Sequence, residues 1–165
     1  MNMRAASFTI GLTAATLLFP VHAGDYEDGM AAHRARDYQR ARMLWTPLAM
    51  QGQRRAQVSL ARMIERGEGG SPDVGEALRW YKEAAEQEHA ESQYRVAMAH
   101  AWGQGGWFRD PAQAATWLER AAANGHKKSQ RLLAQAYRTG ELGLTPDATK
   151  AQYWQTVAGG KKKNR

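Results

Sequence analysis

Between residues 56 and 159 apolar side chains recur every three to four positions, and glycine-rich turns interrupt them at regular intervals. In the stretch AQVSLARMIERGEGG, Ala56, Leu60, Met63 and Ile64 fall at i, i+4, i+7 and i+8, one face of a helix. That helix should stop at Gly67, since glycine reaches the positive φ of a helix C-terminus cheaply. Beyond the turn, Ala77, Trp80, Tyr81, Ala84 and Ala85 repeat the same spacing and predict a second helix. The dipeptides Ser71-Pro72, Asp110-Pro111 and Thr145-Pro146 read as N-caps, each followed by a proline whose missing N–H is harmless in a first turn.

The two-helix pattern occurs three times, starting at Ala56, Ser92 and Ser129, with spacings of 36 and 37 residues. Gly67, Gly103 and Gly140 correspond, as do Trp80, Trp117 and Trp154, and Ala84 with Ala121. In-phase recurrence makes these tryptophans and alanines the repeat core, with units at 56–91, 92–128 and 129–159. A further hairpin, 24–55, carries Gly29, Tyr38, Ala41, Trp45 and Leu48 at offsets like those of a tetratricopeptide repeat. Pro47 predicts a kink or an early end to its second helix. The expected fold is all-α: a short right-handed α-solenoid of antiparallel helix pairs, about eight helices in all. The stretch GQGGWFRDP looks at first like a phosphate cradle, but no GK[ST] follows it, no strand pattern precedes it, and its glycines recur in every unit.

The units resemble Sel1-like repeats, a long-loop relative of the tetratricopeptide repeat. The resembling residues are Ala56 and Leu60, the turns at Gly67/Gly69 and Gly103/Gly105, Asp73, Asp110 and Asp147, then Ala77–Trp80 and Ala84–Ala85. The resemblance implies a scaffold that binds other macromolecules, in bacterial envelopes or signalling complexes. It leaves as alternatives a component of a flagellar motor ring or polysaccharide-secretion complex, or an enzyme acting on β-lactams or the cell wall. The exported relatives linked to β-lactams are cysteine-rich, and this chain has no cysteine. Two departures bear on the turns: Glu88 stands where Gly52 and Gly125 stand, predicting a helical rather than a left-handed turn, and Leu142 replaces the second turn glycine.

Composition adds location. Arg4, the apolar run AASFTIGLTAATLLF and then PVHA read as a signal peptide over residues 1–23, cleaved after Ala23. The run is too short to span a bilayer, and no later stretch is apolar enough, so a periplasmic or secreted protein is expected. The formal charge is +7, but removing Arg4 and the four cations of the 160–165 tail leaves a body of only +2. The basicity belongs to a terminal tail suited to an acidic polymer, and nucleic acid is not expected as a partner.

Candidate chemistry is sparse. His33, His89, His100 and His126 show no HxxxH or HExxH spacing, which argues against a metal, and neither a nucleophile motif nor a cofactor motif stands out. His89 and His126 are expected in solvated connectors and His100 in the core. The expectation is a non-enzymatic binder without cofactors, holding a protein or peptide partner in the envelope. Trp102 and Tyr94 are aromatics whose counterparts are not aromatic, so they are read as outward-facing interface anchors. With Arg62 and Arg95 they form the candidate partner-binding set. Trp107, counterpart of Leu144, is expected to pin its own loop, and Phe108 stays unassigned.

Overall fold

A computed structural model describes residues 25–160; the expected leader and residues 161–165 of the basic tail lie outside them. Among the described residues are eight α-helices, α1 (Asp25–Arg34), α2 (Tyr38–Met50), α3 (Arg54–Glu65), α4 (Val74–Glu86), α5 (Ala90–Trp102), α6 (Pro111–Ala123), α7 (Lys127–Thr139) and α8 (Ala148–Ala158), and one 3-10 turn, Glu141–Gly143. Each helix packs on its neighbours in the chain, giving a solenoid of antiparallel pairs. No described helix is long and apolar enough to cross a membrane.

Each long connector is tied down by its aspartate. The Oδ1 atoms of Asp73, Asp110 and Asp147 accept the backbone N–H of Glu76, Gln113 and Lys150 at 2.8, 3.0 and 3.0 Å. Their own N–H groups donate to the carbonyls of Ile64, His100 and Tyr137, one position repeated in three first helices. Ser71 and Thr145 are therefore not caps. In these two units the proline precedes the aspartate, and α4 and α8 begin two residues later than the serine- or threonine-proline pairs implied. Only Pro111 sits in the first turn of its helix.

Of the two outcomes expected at Pro47 the early end is not found, and the expectation at Glu88 is corrected. Helix α2 does not end early at Pro47 but continues to Met50; the ring is exposed, at a position where the lost hydrogen bond faces water. Glu88 is left-handed, with φ +63°, like Gly52 at +84° and Gly125 at +86°. Its N–H reaches the Ala85 carbonyl, and the next N–H, of His89, reaches Ala84, the bond pattern of a glycine C-cap. The backbone geometry that closes the helix is imposed by stacking and overrides the side chain's preference. Leu142 adopts φ +57° for the same reason, in the slot held elsewhere by glycine.

The core is a line of small and large side chains. Ala84 and Ala121 are fully buried, letting helices approach, and Trp117 is buried in the same core cluster as Ala121. Trp80 and Trp154 are half-buried at its edge: Trp80 borders a surface depression with Met50, and Trp154 lies on α8, the last of the described helices. The outer face of α8 differs from those of α4 and α6. Where α4 and α6 bury Leu78 and Tyr81, or Ala115 and Leu118, α8 carries Gln152 and Gln155, both exposed.

A row of buried glutamines joins successive units, and the apolar pattern gave no hint of it. Gln57, Gln93 and Gln130 donate through Nε2 to the carbonyls of Ala49, Ala85 and Ala122 at 3.1, 3.0 and 3.0 Å. Each adds a second donor to a carbonyl in the last turn of the preceding helix, which also accepts the N–H of Gly52, Glu88 or Gly125. Gln87 and Asn124 then donate to the oxygens of Gln57 and Gln93.

Candidate functional site

A groove of about 360 Å³ runs along α5, bounded by the C-terminal end of α3, by α4 and by the start of α7. Helix α5 presents Glu91, Tyr94, Arg95, Met98 and Trp102 to it, a stripe at helical spacing. One end is apolar, with Met98, Trp102 and Val74; the other holds Glu91, Arg95, His126 and Lys128.

The charged end is closely wired. Arg95 donates from Nε to Glu91 at 2.9 Å and from Nη1 to Glu65 at 2.8 Å. The second oxygen of Glu65 accepts the Tyr81 hydroxyl at 3.0 Å, and that of Glu91 meets His126 Nε2 at 3.0 Å. Both carboxylates therefore have both oxygens engaged. Burial disfavours ionised Glu91, but the Arg95 hydrogen bond and charge outweigh it and hold its pKa below the ordinary carboxylate value. Burial first, then the Glu65 charge and hydrogen bond, pushes the Tyr81 hydroxyl well above the usual phenol range. Tyr81 stays a neutral donor at physiological pH.

His126 is not a solvated connector residue. Its Nδ1 accepts the Ser129 N–H at 3.2 Å, capping α7, while its ring lies 4.7 Å from that of Tyr94. His89 caps α5 through Ser92 in the same way at 3.3 Å. Accepting at Nδ1 requires that atom to be unprotonated, which leaves the proton of the neutral ring on Nε2, facing Glu91 in the case of His126. The signal for these caps was in the chain: HxxS at 89–92 and again at 126–129, 37 residues apart. His100 is half-buried against Trp107, at 4.9 Å, and Trp107 itself packs on the core. Burial lowers the His100 pKa below the ordinary value.

Three of the four residues singled out for partner contact meet in the groove: Tyr94, Arg95 and Trp102. Their states differ from expectation. Tyr94 is not outward-facing; it is only 9% exposed, under Lys128, whose Nζ stands 4.8 Å from the ring centroid. Arg95 is committed to its two carboxylates. Trp102 is 66% exposed and forms the apolar end of the groove. Arg62 is exposed on α3 and does not line the groove. Phe108, 92% exposed on the α5–α6 connector, is not among the lining residues. Among the described residues no group of three histidine or carboxylate side chains could hold a metal ion.

The comparisons with known proteins agree with this architecture. The crystal structure of c5321, a protective antigen of uropathogenic Escherichia coli strains displaying an SLR fold, matches with a TM-score of 0.75 at 27% identity, covering 83% of this chain and 30% of that one. A Sel1 repeat protein from Oxalobacter formigenes matches with a TM-score of 0.73 at 27% identity, covering 84% of this chain and 58% of that one. This chain thus spans less than two thirds of either relative. No curated protein matches the sequence. Sel1 repeat proteins are generally protein–protein interaction scaffolds and typically non-enzymatic. The Sel1 repeat model matches residues 23–53, 54–89, 90–126 and 127–154, taking in the N-terminal hairpin as a repeat; with four units covering most of its length, the chain belongs to the Sel1 repeat family.

Proposed function

We propose that this chain is an exported adaptor that holds a protein or peptide partner in the cell envelope, using the groove along α5. The observation that carries the reading is the convergence of an exposed tryptophan, a buried tyrosine and a fixed arginine in one groove, on a scaffold family whose members bind proteins. An exposed indole beside a wired polar cluster has the makeup of an interface hot spot: an apolar anchor that gains by desolvation, next to groups that fix orientation. The groove carboxylates are saturated by donors from the chain itself, an arrangement that favours recognition over proton transfer. Export is supported by the apolar leader pattern of residues 5–19.

The test places a photo-crosslinking amino acid at position 102, and in a control at Met43, exposed on α2, in native cells. The expected result is a protein adduct in the envelope fraction from position 102 that position 43 does not give. Adducts of equal yield from both positions would refute the groove, and adducts confined to the cytoplasm would refute export.

A further inference from the structure

The carboxylates of the groove, Glu65 and Glu91, are both engaged within it by Arg95, Tyr81 and His126. The cations on its flanks are not. Lys128 lines the groove from α7 with its ammonium over Tyr94, and among the described residues no carboxylate lies within the 4.0 Å of an ion pair. Arg62 on α3 and Arg131 on α7 occupy the positions that Met98 and Tyr94 occupy on α5, so repeat geometry sets them to either side of the groove. Both are exposed and, among the described residues, neither is paired with a carboxylate. Helix α7 also has no acid in its first turn to offset the positive end of its dipole. With both groove carboxylates engaged, Lys128 within the groove and Arg62 and Arg131 beside it are left as cations without a carboxylate among the described residues.

Resting on the groove as the partner site, we infer that it selects an acidic peptide segment bearing one apolar anchor: the anchor against Trp102 and Met98, the acidic residue at Lys128 and Arg131. The spacing follows from α5. Tyr94, beneath Lys128, and Trp102 are eight residues apart on one helix, roughly 12 Å at 1.5 Å per residue. An extended peptide covers roughly that distance in about four residues. The anchor and the acid are therefore about four positions apart in the partner.

The test is selection of a displayed random twelve-residue peptide library on the full chain, followed by affinity measurement on Trp102→Ala and on Lys128→Glu/Arg131→Glu. Trp102 is mostly exposed, so its loss leaves the fold intact; Lys128→Glu puts an acid in the first turn of α7, which favours that helix, and Arg131 is exposed. The expected peptides pair an aliphatic or aromatic residue with Asp or Glu about four positions away. Both variants should bind them roughly tenfold more weakly, the loss from charge reversal shrinking at high salt. Peptides that need Trp102 but carry no acid, or that ignore the charge reversal, overturn the inference and leave the groove reading standing. Peptides indifferent to Trp102, or no enrichment at all, overturn both. Short polyphosphate binding the wild type more tightly than any selected peptide, without need of Trp102, assigns the cations to a non-peptide polyanion and also overturns the inference.

Discussion

The three helix-to-helix turns at Gly52, Glu88 and Gly125 offer a comparison of one backbone geometry with different residues. All three have positive φ, and at each the N–H groups of that residue and the next reach the carbonyls of the preceding helix in the same pattern. A side chain in the left-handed region costs about 1–2 kcal/mol through the clash of Cβ with the backbone. Glycine gives back about 0.4–1 kcal/mol of that through its greater freedom in the unfolded chain. Glu88→Gly should therefore stabilise the protein by about 0.5–1 kcal/mol. Gly52→Ala and Gly125→Ala should destabilise it by a similar amount. A Cβ at either glycine would have no neighbour within 4 Å, so those substitutions report on φ rather than on packing. Glu88→Ala keeps the strain while removing the carboxylate, and should change little. Equilibrium urea unfolding measures all four, as shifts of midpoint at constant slope; the expected melting shift is about 2–4 °C per kcal/mol for a chain of this size. A neutral or destabilising Glu88→Gly, with Glu88→Ala equally destabilising, would show that the carboxylate, not the backbone, governs this turn.

Two more outcomes follow from the hydrogen bonding. Burial first, then Arg62 and Arg54, holds the His89 pKa below the ordinary histidine value of 6.5, and its capping Nδ1 must stay unprotonated. The unfolded chain therefore takes up a proton at higher pH than the folded one. The stability His89 contributes is present above pH 6.5 and is lost as pH falls through 6.5 towards the folded value. His89→Asn, a cap that does not titrate, should flatten the wild-type loss of urea midpoint between about pH 7.5 and 5.5; an unchanged profile would show that the cap does not carry it. Gln93→Ala removes the Asn124 bond and one of two donors to the Ala85 carbonyl, the other being the Glu88 N–H, and should cost about 1–2 kcal/mol. Gln130→Ala should cost less, because its Oε1 has no partner among the described residues to lose; equal midpoints for the two variants would refute the pairing argument.

The local elements were legible because each rests on short-range physics. Helical spacing of Ala77, Trp80 and Ala84, glycines at turn positions and an aspartate recurring in phase define a repeating hairpin from the order of residues alone. The same pattern drew attention to Trp102, since an aromatic whose counterparts are Arg66 and Thr139 has no part in the repeated core. Where local signals competed, spacing misled. Ser71 and Thr145 are good capping residues, but the N–H of Asp73 and Asp147 bonds back to the first helix and fixes the helix start at the aspartate. Glu88 prefers a right-handed turn, but the stacked pairs require the chain to reverse there.

The sequence by itself determined the period, the pairing of helices and the small residues that let them approach, since each depends on residues within one unit. The tertiary structure decided which side chains meet across units. Arg95 is fixed by Glu65 from the preceding unit, and Glu91 is met by His126 from the following one. Tyr94 is buried because α7 brings His126 and Lys128 over it. Those contacts span 30 or more residues of chain and arise from the angle at which hairpins stack. Periodicity counts positions along one helix and carries no information about that angle, which is why the groove exists only in the assembled stack of helices.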